Sequence, residues 1–151
     1  MSEIYAVNES FFKMILSRHS LGAKHLVIPA PDVGALRLAV TAACRVPCHQ
    51  ETLPFRWVEI SSRDRLADLF ESVLPADADE EMRAKARGKA LKAPMCMALV
   101  GTGLSPDSQD READERLMTA GASLMNFLAG LHARAIVGRI VGIAAIHHGI
   151  G

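Results

Sequence analysis

Nowhere in this sequence do apolar residues continue for the ~20 positions that a membrane-spanning helix needs. The apolar run from Ala135 to Ile146 is broken by Gly138, Arg139 and Gly142. No membrane association is therefore expected. The first residues lack the order of basic region, apolar run and small-residue cleavage site, so no secretory signal is expected either. Excess charge of one sign is also missing: Lys plus Arg and Asp plus Glu number 17 each, for a formal net charge of +0. Without a basic excess, nucleic acid is not an expected partner. Aromatic residues make up only 5% of a chain that is 50% hydrophobic, which still describes a globular protein rather than a disordered or fibrous one. Cysteines are few and odd in number, at Cys44, Cys48 and Cys96. Reduced thiols in a cytoplasm are the simplest expectation. Cys44, Cys48 and His49 have no second ligand pair at a helpful spacing, and His147-His148 stands alone, so no metal is expected. Internal repeats, low-complexity segments and linkers are absent, and 151 residues suit one domain, 1–151, with a core of its own.

Helix signals are frequent in what remains. Asn8 is a natural cap for a helix from Glu9 to Leu16, carrying Phe11, Phe12, Met14, Ile15 and Leu16 at rough helical spacing. Leu21 to Ala30 reads as loop or extended, and Pro29-Ala30-Pro31 enforces extended backbone. Asp32 caps a second helix with apolar Val33, Leu36, Val40 and Ala43, ending near Arg45 because Pro47 disfavours helical backbone at Val46. Phe55 to Ile60 reads as a strand. Ser62 caps a helix whose apolar face is Leu66, Leu69, Phe70, Val73 and Leu74, stopped by Pro75. Asp79 to Lys92 is a charged helix, acidic first and basic last, in accord with the helix dipole, and reads as a solvated surface element. Met95 to Val100 has the continuous apolar pattern of a buried strand, and Gly103 to Asp110 reads as a mobile loop. A long helix then runs from about Arg111 to Arg134. Its segment from Met118 to Leu131 is nearly free of charge and holds Gly121, Ala122, Ala129 and Gly130, which points to a central helix that also serves a dimer interface in preference to an internal core helix. Arg139-Ile140-Val141 could begin a third strand.

Two polar clusters fall at helix ends. Ser17-Arg18-His19-Ser20 follows the first helix, placing a guanidinium fork, an imidazole and a hydroxyl together, which could hold a phosphorylated ligand. A charged, serine-capped helix exit is the alternative. Arg45 and His49 lie at the end of the second helix and in the loop after it, facing either a ligand or water.

The order of elements and the two clusters resemble the nitroreductase-like flavoproteins, especially their short single-domain branch, over about Phe12 to Gly142. Arg18, His19 and Ser20 match that family's Arg-Arg/His-Ser triplet, which holds the phosphate and ribityl chain of FMN. Arg45-Val46-Pro47-Cys48-His49 is similar to its Arg-Ala-Pro-Asp-His segment, whose Arg and His reach the flavin bound mainly by the partner subunit. Leu53-Pro54-Phe55 stands for Gln-Pro-Trp, Lys92-Ala93-Pro94 matches Lys-Ala-Pro before the apolar strand, and Thr119 to Ala122 matches the start of the central dimer helix. The family's Gly-x-Gly turn after that helix reads Ala135-Ile136-Val137 here, without either glycine. The segment contacting FMN aligns with Ile140-Val141-Gly142, without the family's polar residues, and relatives usually continue for another strand and helix.

The resemblance implies an α+β nitroreductase-like fold: a central, mostly antiparallel sheet flanked by helices, with a buried central helix at a dimer interface. It implies a cytoplasmic homodimer that binds FMN through Arg18, His19, Ser20, Arg45, His49, Val141 and Gly142. NAD(P)H would be the electron donor and a nitro compound, quinone or similar small molecule the acceptor. No residue is expected to act as a catalytic acid or base, because the flavin carries the chemistry. The altered C-terminal segment leaves an alternative, a dimer of the same fold that has lost stable flavin binding and acts as a binding or regulatory module.

Overall fold

The computed structural model describes residues 7–49, 52–102 and 111–138. Helices there are α1 (Glu9–Ser17), α2 (Val33–Ala43), α3 (Arg63–Ser72), α4 (Glu80–Leu91) and α5 (Arg111–His132), and the strands are β1 (Phe55–Glu59) and β2 (Met97–Gly101). The stretch from Gly103 to Asp110, the expected third strand at Arg139 to Val141, and the site residues Val141 and Gly142 lie outside the described residues.

Four helix starts carry side-chain caps. Asn8 accepts from the Phe11 amide, Asp32 from Ala35, Ser62 from Arg65 and Asp79 from Met82, each satisfying an amide that has no partner within its helix. The α2 helix stops at Ala43, two residues before Arg45. Between α1 and α2, the chain makes a short 3₁₀ turn at Ala23–His25 and a cis Ile28–Pro29 bond.

The two strands pair antiparallel, Phe55 opposite Gly101 through Glu59 opposite Met97. Backbone bonds from Ile60 to Cys96 and from Thr102 to Pro54 extend the ladder at both ends. One face of β1 turns inward with buried Phe55 and half-buried Trp57, while Arg56 and Val58 face outward. The β2 strand begins at Met97, later than the sequence suggests, and its side chains are half-buried with Val100 exposed. Among the described residues the sheet has two strands, and α5 packs against it.

The core lies between α2 and α5. Leu36, Ala39 and Ala43 meet Phe127 and Leu131, and Val40, Trp57, Met95, Met97 and Ile136 close around them. Small residues set how near the helices come. A Cβ built on Gly130 would lie 3.2 Å from the Ala39 Cα, so this glycine serves an internal helix contact. Trp57 stacks on Phe127 at 4.1 Å between ring centroids and donates its indole N–H to Ser123 Oγ at 3.0 Å; Ser123 is 0% exposed.

The α5 helix is not apolar-buried all round. Its inward stripe is Ala113, Ala120, Ser123, Phe127 and Leu131, while Leu117, Met118, Gly121 and Met125 face outward, with Met118 75% exposed. The chain is therefore amphipathic here in geometry even where it is uncharged in sequence.

Between the strands, α3 and α4 form a helical hairpin packed through Ala67, Ala86 and Ala90. Val73 falls beyond the last turn of α3 and is exposed, so it does not continue that helix's apolar face. Arg63 donates to the carbonyls of Ala93 and Ala90, capping the end of α4, and Arg87 bridges Asp68 and Glu71 across the hairpin at 2.6 and 3.0 Å.

The α5 helix ends in a left-handed turn. Ala135 has φ 58, and the Ile136 amide reaches back to the Leu131 carbonyl at 3.0 Å. That six-to-one bond, with Ile136 packed beside Leu131, is a helix stop that glycine ordinarily fills.

Candidate functional site

The first cluster forms where the C-terminal ends of α1 and α5 meet. Arg18 caps α1 with extended backbone (ψ 127), and its amide bonds to the Met14 and Ile15 carbonyls. Its guanidinium turns back to donate to Ser20 Oγ at 3.4 Å. The His19 Nδ1 lies 3.0 Å from the Ser17 carbonyl. Ser17 Oγ donates to Met14 O at 3.0 Å and meets His132 Nε2, at the end of α5, also at 3.0 Å. The His19 and His132 rings stand edge to face with centroids 6.3 Å apart. Arg18 is half-buried, while His19 and Ser20 are exposed. Among the described residues, no carboxylate forms an ion pair with Arg18, His19 or His132. Both helix ends present partial negative charge, which favours cations at this junction.

The second cluster is held by its backbone. Asn126 of α5 donates to the Arg45 carbonyl at 3.0 Å and to Ala42 O at 3.4 Å, and the Thr119 hydroxyl, which bonds to Glu115 O at 2.9 Å, lies 3.4 Å from Pro47 O. The Arg45 side chain is exposed. His49 borders a shallow recess lined by Cys48, Pro54, Glu115, Arg116 and Thr119. Arg116 is paired with Glu112 at 2.8 Å.

Within one chain His49 does not converge on the first cluster. Arg18, His19 and Ser20 gather beside His132, and His49 sits beside Thr119; at ~1.5 Å per residue these points on α5 are about 20 Å apart. The α5 helix therefore organises both clusters while keeping them separate. Three participants carried no sign of these contacts in the sequence alone: His132, Asn126 and Thr119. Each reaches its partner across at least 70 residues of chain, and nothing local marks such a contact.

Among the described residues, no group of three or more His, Cys, Asp or Glu could hold a metal ion, and no helix is long and apolar enough to cross a membrane. Cys44, Cys48 and Cys96 are free thiols.

This arrangement of helices and strands is the nitroreductase-like fold. A solved structure, the nitroreductase-like family protein from Bacillus cereus, superposes with a TM-score of 0.66 at 22% identity, covering 85% of this chain and 67% of that one. No family model matches the sequence, and no curated protein does.

Proposed function

We propose that this protein is a homodimeric FMN-dependent oxidoreductase that takes electrons from NAD(P)H and passes them to a nitro compound, a quinone or a similar small acceptor. The carrying observation is the Arg18-His19-Ser20 segment, fixed between two helix ends with the Arg18 guanidinium unmatched by a carboxylate among the described residues. Such a set suits a phosphate monoester: Arg18 offers a charged fork, Ser20 a hydroxyl for phosphate or ribityl oxygens, and His19 a further donor. The fold adds support, since the solved relative carries a nitroreductase-like description.

The separation of the clusters supports a dimer. His49 lies about 20 Å along α5 from its own chain's Arg18 cluster, so in a two-fold assembly it would complete the partner's site, with Arg45 of the same cluster beside it. The α1 helix has no buried residue, with Phe11 54% and Leu16 83% exposed, and the outward face of α5 adds Leu117 and Met118. Apolar surface on both elements suits a second copy. Bound flavin would supply the two-electron chemistry. The chain's own residues bind its phosphate, orient it and restrict water around it.

The test is the visible absorbance of the purified protein before and after FMN addition, followed by titration of Arg18→Ala. FMN affinity should fall by more than about tenfold in the variant. A colourless protein that ignores FMN would instead favour a non-enzymatic dimer of this fold.

A further inference from the structure

The hydrogen-bond chemistry at the α1–α5 junction fixes more than proximity. A serine hydroxyl has one hydrogen. Ser17 Oγ lies 3.0 Å from the Met14 carbonyl, which can only accept, and 3.0 Å from His132 Nε2, which donates or accepts according to its tautomer; with the hydrogen on the Met14 side, the same oxygen accepts from His132. In that arrangement His132 Nε2 carries a hydrogen and donates it. By the same logic the Ser17 carbonyl can only accept, and His19 Nδ1 donates to it. Ser17 is thus held twice, by His132 on its side chain and by His19 on its carbonyl. It is the residue immediately before the proposed phosphate-holding triplet.

We infer that His132 is a positioning residue for the phosphate site: its Nε2–H, delivered from the end of the central helix, locks Ser17 and so sets the backbone from which Arg18, His19 and Ser20 reach a phosphate monoester. The inference rests on the flavin phosphate reading above and assigns a role to a residue from a different helix than the triplet it supports. A link from α1 to α5 matters here because α1 has no buried residue to hold it otherwise. Loss of the donor leaves the hydroxyl bonded to its own helix, and the triplet loses its register against α5.

Binding of FMN and of riboflavin, which lacks the phosphate, is to be measured by fluorescence quenching for the unaltered protein, His132→Ala, His132→Gln and Arg18→Ala. Glutamine retains an N–H at the reach of Nε2 but carries no imidazole. In His132→Ala, FMN should bind about three- to tenfold more weakly while riboflavin affinity stays within about twofold, and His132→Gln should restore most of the loss. Nitrogen-15 shifts of the His132 ring should independently show Nε2 protonated in the neutral form. An unchanged FMN affinity in His132→Ala overturns the inference. So does an equal loss for both ligands, a failure of His132→Gln to recover, or a His132 ring protonated only at Nδ1. Separately, if the unaltered protein binds FMN no more tightly than riboflavin, or Arg18→Ala changes nothing, the phosphate reading itself fails and takes this inference with it.

Discussion

Ser123→Ala is a small change at the point where sheet and central helix are joined, and its cost follows from two facts. Ser123 is 0% exposed, and its hydroxyl is the acceptor for the Trp57 indole N–H at 3.0 Å. The substitution removes one net hydrogen bond, worth about 1 kcal/mol, and leaves an indole donor without its partner. Because Trp57 is half-buried rather than fully enclosed, water recovers part of that second cost. The expected destabilisation is about 1–2 kcal/mol, or a fall in Tm of about 3–6 °C for a chain of this size. Trp57 is the single tryptophan, so its fluorescence reports directly on the site during urea unfolding. The midpoint should fall with the slope m unchanged. Trp57→Phe retains the stacked ring and removes the donor, so in that background Ser123→Ala should cost little; circular dichroism follows all four proteins of the cycle. A loss below about 0.3 kcal/mol in the single variant, or no coupling in the cycle, would refute the hydroxyl's role.

Other expectations follow from the same packing. Gly130→Val places a branched side chain where a Cβ alone is 3.2 Å from the Ala39 Cα, and should cost about 1–3 kcal/mol by thermal melting; an unchanged Tm would show that α2 and α5 separate freely. Ala135→Gly should raise stability by about 1 kcal/mol, since φ 58 is unfavourable for an alanine, and a lower urea midpoint would contradict that turn. Glu71 is held below its ordinary value of 4.5, first by the hydrogen bond from Arg87, with desolvation opposing it and the Arg83 hydrogen bond adding to it. A depressed carboxylate gives stability that is present above 4.5 and lost as pH falls through the lower folded value. Glu71→Gln should therefore flatten the stability profile below that pH, and an identical acid profile would rule out the Arg87 contact as its source.

The parts of the fold written locally are readable from the sequence. Asn8, Asp32, Ser62 and Asp79 each precede their helix and accept from the amide three residues on, so cap, helix and direction all come from a few adjacent residues. The strands follow likewise from short apolar or aromatic runs between prolines and glycines. What escapes a single sequence is which side of an element is covered. From Met118 to Leu131 charge is nearly absent, yet one face of α5 packs on α2 and β1 while Met118 and Gly121 look outward. Small residues in that helix suggest close approach by a neighbour, and at Gly130 the neighbour is α2 of the same chain. The candidate site divides the same way. Arg18, His19 and Ser20 stand together because they are consecutive, whereas His132, Asn126 and Thr119 join the clusters only through tertiary folding.

A helix of nine residues with no buried side chain is too short to persist by itself in water. The order of α1 must then be supplied by what it docks against: α5 through Ser17, and in the proposed assembly a second copy and a phosphate beside Arg18. Helix formation, subunit association and cofactor capture thereby become linked equilibria. Whatever strengthens one member of the set raises the occupancy of the other two.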